Sequence, residues 1–158
     1  MNFSITNGTV QDAERVSTLI ALLAEEFIVN EFGEEGRTHF LREIAPDKMR
    51  ERLAGDYRFF LAEKKSELAG VAALRGRSHL YYLFVGKPYQ QQGLARQLWL
   101  SAREVILDGG HRGPITVNSS TYAVPVYERF GFARSGPAEE KYGVRHHPME
   151  IKLTDHLR

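Results

Sequence analysis

The residues best placed to do chemistry lie in one run, Leu80-Tyr-Tyr-Leu-Phe-Val-Gly-Lys-Pro-Tyr-Gln-Gln-Gln-Gly-Leu-Ala-Arg-Gln-Leu-Trp99. An apolar strand ends near Val85 and a polar turn follows. Helical spacing then sets in after Gly93, with Leu94, Leu98, Ala102 and Ile106 on one face. The first backbone N–H groups of a helix have no partner within it, and the macrodipole adds positive potential there. Such a turn holds a phosphate or pyrophosphate without many cationic side chains. Gly93 and Ala95 would keep Cβ bulk away where backbone approaches the ligand. By spacing alone, a plain strand–turn–helix connection is the alternative. The turn is neither the Gly-Lys-Ser/Thr loop of nucleotide triphosphatases nor the G-x-G-x-x-G of dinucleotide folds. The chain has no Cys, which excludes thiolate nucleophiles, disulfides and Cys-ligated metals. His146 and His147 would point to opposite faces of a strand and match no zinc spacing, so no metal is expected.

The elements that must position this run can be read from periodicity. Phe3 to Thr6 alternates like a short strand, and Thr9 with Asp12 resembles a helix-capping pair. Val16, Leu19, Ile20, Leu23 and Phe27 then form one helical stripe; Gly33 and Gly36 break the chain, and Pro46 opens a helix to about Leu53. Tyr57 to Glu63 and Leu68 to Leu74 read as a hairpin, His79 to Val85 as a third strand. Gly109 and Gly110 end the helix that follows Gly93. Ile115 to Asn118 is strand-like, Ala123 to Phe130 helical, Phe132 to Ser135 a short strand and Arg145 to Leu153 a final strand. The expected fold is α/β, a mixed sheet with helices on both faces, in a single domain over residues 1–158.

Composition narrows the class. Apolar residues are 42% and charged residues 26%, as in globular domains, so disorder is not expected. The formal charge of +1 argues against a nucleic-acid or polybasic membrane binder. The apolar run Leu19 to Ala24 is far too short to span a membrane, and Met-Asn-Phe-Ser-Ile lacks a signal-peptide pattern, which points to the cytoplasm.

Gln90-Gln91-Gln92-Gly93-Leu94-Ala95 resembles the Q/R-x-x-G-x-G/A loop of the GCN5-related N-acetyltransferases, and Leu83-Phe84-Val85 resembles the strand that precedes it. Asn118-Ser-Ser-Thr-Tyr-Ala-Val-Pro-Val-Tyr-Glu-Arg-Phe-Gly-Phe132 is similar to that family's Asn…Ala…Tyr-Glu-x-x-Gly-Phe segment, at the family's usual separation. The resemblance implies a GNAT-like fold in which acetyl-CoA is the cosubstrate and no metal takes part. It places the pyrophosphate on the amides of Gln90, Gln91, Gln92, Gly93, Leu94 and Ala95. Leu83, Phe84 and Val85 would line the pantetheine, which enters where two strands splay, and Asn118 would end the second of these. Tyr127 matches the residue that protonates the departing thiolate. Ala95 stands where Gly is commoner. The family often places an acid on the strand before the loop, and none is present here. The family's members are often dimers, so a homodimer is among the arrangements implied.

Transfer from a thioester to an amine needs a neutral nucleophile, a stabilised oxyanion and a proton for the thiolate. The Val85 N–H is the candidate to polarise the carbonyl. A thiol titrates near about 8.5 and a phenol near about 10, so donation from Tyr127 is nearly balanced. For the base, His79 and Glu26 are the candidates, with Tyr82 behind them. Between Val16 and Gly36 stand five Glu (25, 26, 31, 34 and 35) and no Lys or Arg. An acidic wall there would attract a cationic acceptor such as a polyamine, amino sugar or lysine-like amine; a solvated helix end is the alternative. A small-molecule or peptide amine acceptor is therefore expected, with neither nucleic acid nor membrane as partner. The rival is a non-catalytic acyl-CoA-binding or sensing domain of the same fold.

Overall fold

Apolar residues crowd the middle of the chain, and there the structure, a computed structural model describing residues 3–153, forms long antiparallel strands. β1 (Ser4–Asn7) is followed by α1 (Ala13–Phe27), α2 (Glu34–Glu43) and α3 (Pro46–Ala54). Next come β2 (Tyr57–Lys64), β3 (Glu67–Arg75), β4 (His79–Val85), α4 (Leu94–Asp108), β5 (Pro114–Ser119) and α5 (Val124–Phe130). β6 (Ala133–Arg134), β7 (Glu139–Lys141) and β8 (Val144–Lys152) close the described region. The sheet order is β1-β2-β3-β4-β5-β8-β6, with β7 added to β8. Among the described residues only β4 and β5 pair in parallel; every other ladder is antiparallel.

Each helix forms where the sequence supplies an apolar stripe and a stop. The Thr9 N–H donates to Asp12 Oδ2 at 2.8 Å in the turn that leads into α1. Val16, Ile20 and Leu23 are buried from α1, and Leu94, Leu98, Ala102 and Ile106 from α4. Two cores result. Phe60 and Ala62 of β2 meet α4 and α5 on one face; Phe59 and Leu61, alternating with them, meet α1 and α3 on the other. The β2–β3 turn runs through Lys65 and Ser66, both left-handed at φ 52° and 69°, the twist that a two-residue hairpin requires.

Two elements differ from the sequence reading. Gly33 and Gly36 do not break the chain: Gly33 caps α2 and Gly36 lies inside its first turn. The reason is a close approach. A Cβ on Gly36 would collide with the carbonyl of Gly143, and one on Gly143 would sit 2.7 Å from the Gly36 nitrogen. Gly143 belongs to the β7–β8 turn, where Tyr142 and Gly143 are both left-handed at φ 55° and 79°. The second difference is β7, three exposed polar residues with no alternating apolar pattern to mark them. Paired glycines thus seat α2 directly on the β7–β8 hairpin. Gly36→Ala should lower the unfolding free energy by about 1–3 kcal/mol through overpacking. Gly33→Ala, in open space, should change it by less than about 0.5 kcal/mol; urea unfolding checks both.

Candidate active site

The site begins with a register fault. Ala73 opposes Tyr82 and Leu74 opposes Leu80, which leaves Tyr81 as an extra residue in β4. Tyr81 and Tyr82 therefore both face the α1–α3 side, while Leu83 and Val85 face α4. β4 and β5 share only two rungs, His79 with Thr116 and Leu80 with Val117, and then part. The Gly86 N–H bonds the Ala69 carbonyl at 2.7 Å, so the alternation of an antiparallel ladder gives the inward-bonded positions as 84 and 82. The N–H groups of Leu83 and Val85 consequently point into the gap that β5 has left. The Val85 carbonyl points there too and accepts from Gln90 Nε2 at 3.0 Å.

Beyond β4 the chain turns through Gln91 and Gly93, left-handed at φ 61° and 80°, and enters α4. Left-handed residues at alternate positions gather successive N–H groups on one side, the geometry that cradles anions. No backbone bond engages the N–H groups of Gln91, Gln92 or Gly93 among the described residues, and those of Leu94, Ala95 and Arg96 open the helix. Gly93 faces open space. This loop borders a cleft of about 630 Å³ lined by Leu83, Phe84, Val85, Gln90, Gln91, Gly93, Leu94 and Ala95, with Arg96 and Arg129 as cations. Phe27 of α1 and Tyr122 stack at 4.8 Å on its border. Gln92 does not line it; its side chain bonds the Pro88 carbonyl at 3.2 Å.

A second cavity of about 600 Å³ opens on the other side of the splay. Ile28, Leu83, Phe84 and Tyr127 line both spaces, so the cavities meet there. Tyr127 is 5% exposed, held edge-on to Phe132 at 5.6 Å and to Phe130 at 6.4 Å. Burial, the sole cause, pushes its pKa above the ordinary phenol range and keeps the hydroxyl neutral. The values of phenol and thiol in water thus do not apply directly here. A thiolate in the same desolvated place is raised as well, so the two move together.

The remaining sequence candidates separate. His79 lines the second cavity, its Nδ1 2.7 Å from Thr116 Oγ1, and Asn118 lines the same cavity rather than the cleft. Burial first, then Arg75 and His146, hold the His79 pKa down at about 4. Glu26 lines neither space and pairs with Lys87 at 3.1 Å. Tyr82 lies in the second cavity's wall, where Arg52 donates to its hydroxyl at 3.1 Å.

None of the five glutamates between Val16 and Gly36 lines the second cavity. Glu25 bonds Arg37 at 2.6 Å, Glu31 accepts from the Thr121 N–H at 3.3 Å, and Glu34 and Glu35 border a separate shallow depression. The acid that does line the cavity is Glu43, bonded to Arg52 at 3.0 Å, and the cations are Lys141 and Arg145. Sequence reasoning missed these three, together with Arg129, Phe27 and Tyr122 at the cleft. Glu43 ends a helix whose glycine looked like a break, and Lys141 sits in the unmarked strand β7.

The chain matches the acetyltransferase (GNAT) domain over residues 28–153 and belongs to that family, the acetyl-CoA-dependent N-acetyltransferases. Comparison with curated protein sequences finds no match. Among solved structures, it is similar to a GCN5-related N-acetyltransferase from Rhodopseudomonas palustris, with a TM-score of 0.85 at 18% identity, covering 97% of each chain. It is similar also to the PaiA N-acetyltransferase of Thermoplasma acidophilum in complex with coenzyme A, with a TM-score of 0.80 at 18% identity, covering 96% of this chain and 99% of that one. The apo form of YjaB from Escherichia coli gives 0.74 at 18% identity, with 96% and 97% covered. Among the described residues no helix is long and apolar enough to cross a membrane, and no cluster of three His, Cys, Asp or Glu is placed to hold a metal.

His79 generates a pH prediction. Its folded pKa lies below the ordinary value of 6.5, so the unfolded chain takes up the proton first as pH falls. Stability from neutral His79 should be fully present above about 6.5 and decline as pH drops toward about 4. Urea unfolding across that range should show a smaller acid loss in His79→Gln than in the parent.

Proposed function

We propose that this protein transfers the acetyl group of acetyl-CoA to a primary amine by direct attack in a ternary complex, with Tyr127 as proton donor to the leaving thiolate. The observation that carries this reading is the meeting of two cavities at Leu83, Phe84 and Tyr127, one ending at the loop cradle and the other free to hold an acceptor. Pyrophosphate fits the N-terminus of α4 and the amides from Gln91 to Ala95. The pantetheine fits the gap beside Leu83 and Val85, its amides pairing with the backbone groups that β5 leaves unpaired.

In that arrangement the thioester lies at the junction. The amine nitrogen forms the new C–N bond, the carbonyl oxygen takes negative charge, and an N–H of β4, Val85 foremost, donates to it. The C–S bond then breaks and the Tyr127 hydroxyl gives its proton to sulfur. Once the nitrogen has attacked, its protons are far more acidic than those of a free ammonium. A weak base then suffices, and the neutral imidazole of His79, acting through water, meets that need from the acceptor side. Glu26, paired with Lys87 outside both cavities, is the poorer candidate for this role.

Tyr127→Phe should lower kcat by about 10²–10⁴-fold while acetyl-CoA affinity stays within about threefold. Thiol release from acetyl-CoA and calorimetric binding measure the two. Unchanged kcat would remove Tyr127 from the mechanism. Coenzyme A binding without thiol release across a wide amine panel would favour an acyl-CoA-binding domain without turnover.

A further inference from the structure

The walls of the second cavity differ in character. Phe32, Phe40, Phe84, Ile28 and Ile44 form an apolar side. The β7–β8 hairpin contributes Lys141, Arg145 and His146 to the same cavity. Lys141 Nζ lies 5.6 Å from the centre of the Tyr142 ring, which in turn stacks on His39 at 4.7 Å. Neither Lys141 nor Arg145 has a carboxylate within ion-pair distance among the described residues. Glu140 opposes Arg145 in the hairpin register but makes no ion pair with it and does not line the cavity. Glu139 engages His146 Nε2 at 3.0 Å. The acid inside, Glu43, is already bonded to Arg52 through its carboxylate and through its backbone carbonyl. The balance of unpaired charge in this cavity is therefore positive, although the neighbouring helices are rich in glutamate.

We infer that the acceptor is an amino compound carrying a carboxylate and an apolar group, of the amino-acid type, and not a polyamine. This inference rests on the acetyl-transfer reading for the site's location, but it has its own test. The carboxylate faces Arg145 and Lys141, the apolar group packs among Phe32, Phe40 and Ile44, and the amine is left toward Leu83 and Tyr127. A positive wall also lowers the pKa of a nearby ammonium, so more of the acceptor is neutral when it reaches the thioester.

The test compares matched ligands. N-acetylphenylalanine and N-acetylphenethylamine differ by the carboxylate, and their binding to the full-length protein with coenzyme A is measured by calorimetry. Phenylalanine, phenethylamine and spermidine are compared in parallel for thiol release from acetyl-CoA. The carboxylate ligand should bind about tenfold tighter or more. In the double variant Arg145→Glu with Lys141→Glu that preference should vanish or reverse, with coenzyme A affinity and the thermal melt reporting that the fold is intact. Equal or weaker binding of the carboxylate ligand, or a preference untouched by the double variant, overturns the inference. So does faster turnover with spermidine than with phenylalanine. Carboxylate preference in binding without thiol release from any amine upholds it and sinks the transferase reading instead.

Discussion

Two backbone rungs between β4 and β5, and no third, set the terms for the rest of the molecule. A strand inside a sheet normally closes its amides with its two neighbours, and a buried unpaired amide costs free energy. Here the bulge at Tyr81 turns β4 away while β5 stays in register with β8 as far as Ser119 and His147. Leu83 and Val85 are left with backbone donors facing empty space. Under the proposed function, the amides of an extended pantetheine pair with these groups. The fault in the sheet and the two cavities that meet at it are one feature.

The electrostatics follow a similar division of labour. Under the proposed function, anion recognition rests on the backbone N–H groups of the loop, with Arg96 and Arg129 as the cations that line the cleft. Glu25 of α1 pairs with Arg37 of α2, Glu26 of α1 pairs with Lys87 after β4, and Glu31, between the two helices, accepts from the Thr121 amide. The glutamate-rich segment between Val16 and Gly36 and the cations Lys141 and Arg145 that line the second cavity have opposite sign.

Legibility in the sequence tracked the physical signal at each place. The strand–loop–helix from Leu80 to Trp99 was readable because alternation, glycine and helical spacing change over sharply within it. The helix after Pro46, the β2–β3 hairpin and β8 carried similar signals. Helix α2 was hidden because Gly36 is there for its contact with Gly143, more than a hundred residues away, and no local rule encodes that approach. β7 was hidden because both its faces are polar and exposed. The same two blind spots concealed Glu43 and Lys141, so the acceptor side was the harder half to read. Nothing in the spacing of His79 foretold its depressed pKa, which comes first from burial and then from Arg75 and His146 being brought across the sheet.

Trp99 of α4 stacks on Phe130 at 6.4 Å and meets Phe132 at 5.0 Å, and Tyr127 packs against both phenylalanines. The helix that opens with the anion cradle and the helix that carries the Tyr are thereby cemented into one body. On the proposed binding mode such a body acts as a ruler: it sets a fixed length between the place of the pyrophosphate and the place of the sulfur. Every carbon added to the acyl group must then extend past Tyr127 into the acceptor's 600 Å³. Donor chain length and acceptor bulk compete for one volume, so tolerance of the first is a readout of how much the second leaves unfilled.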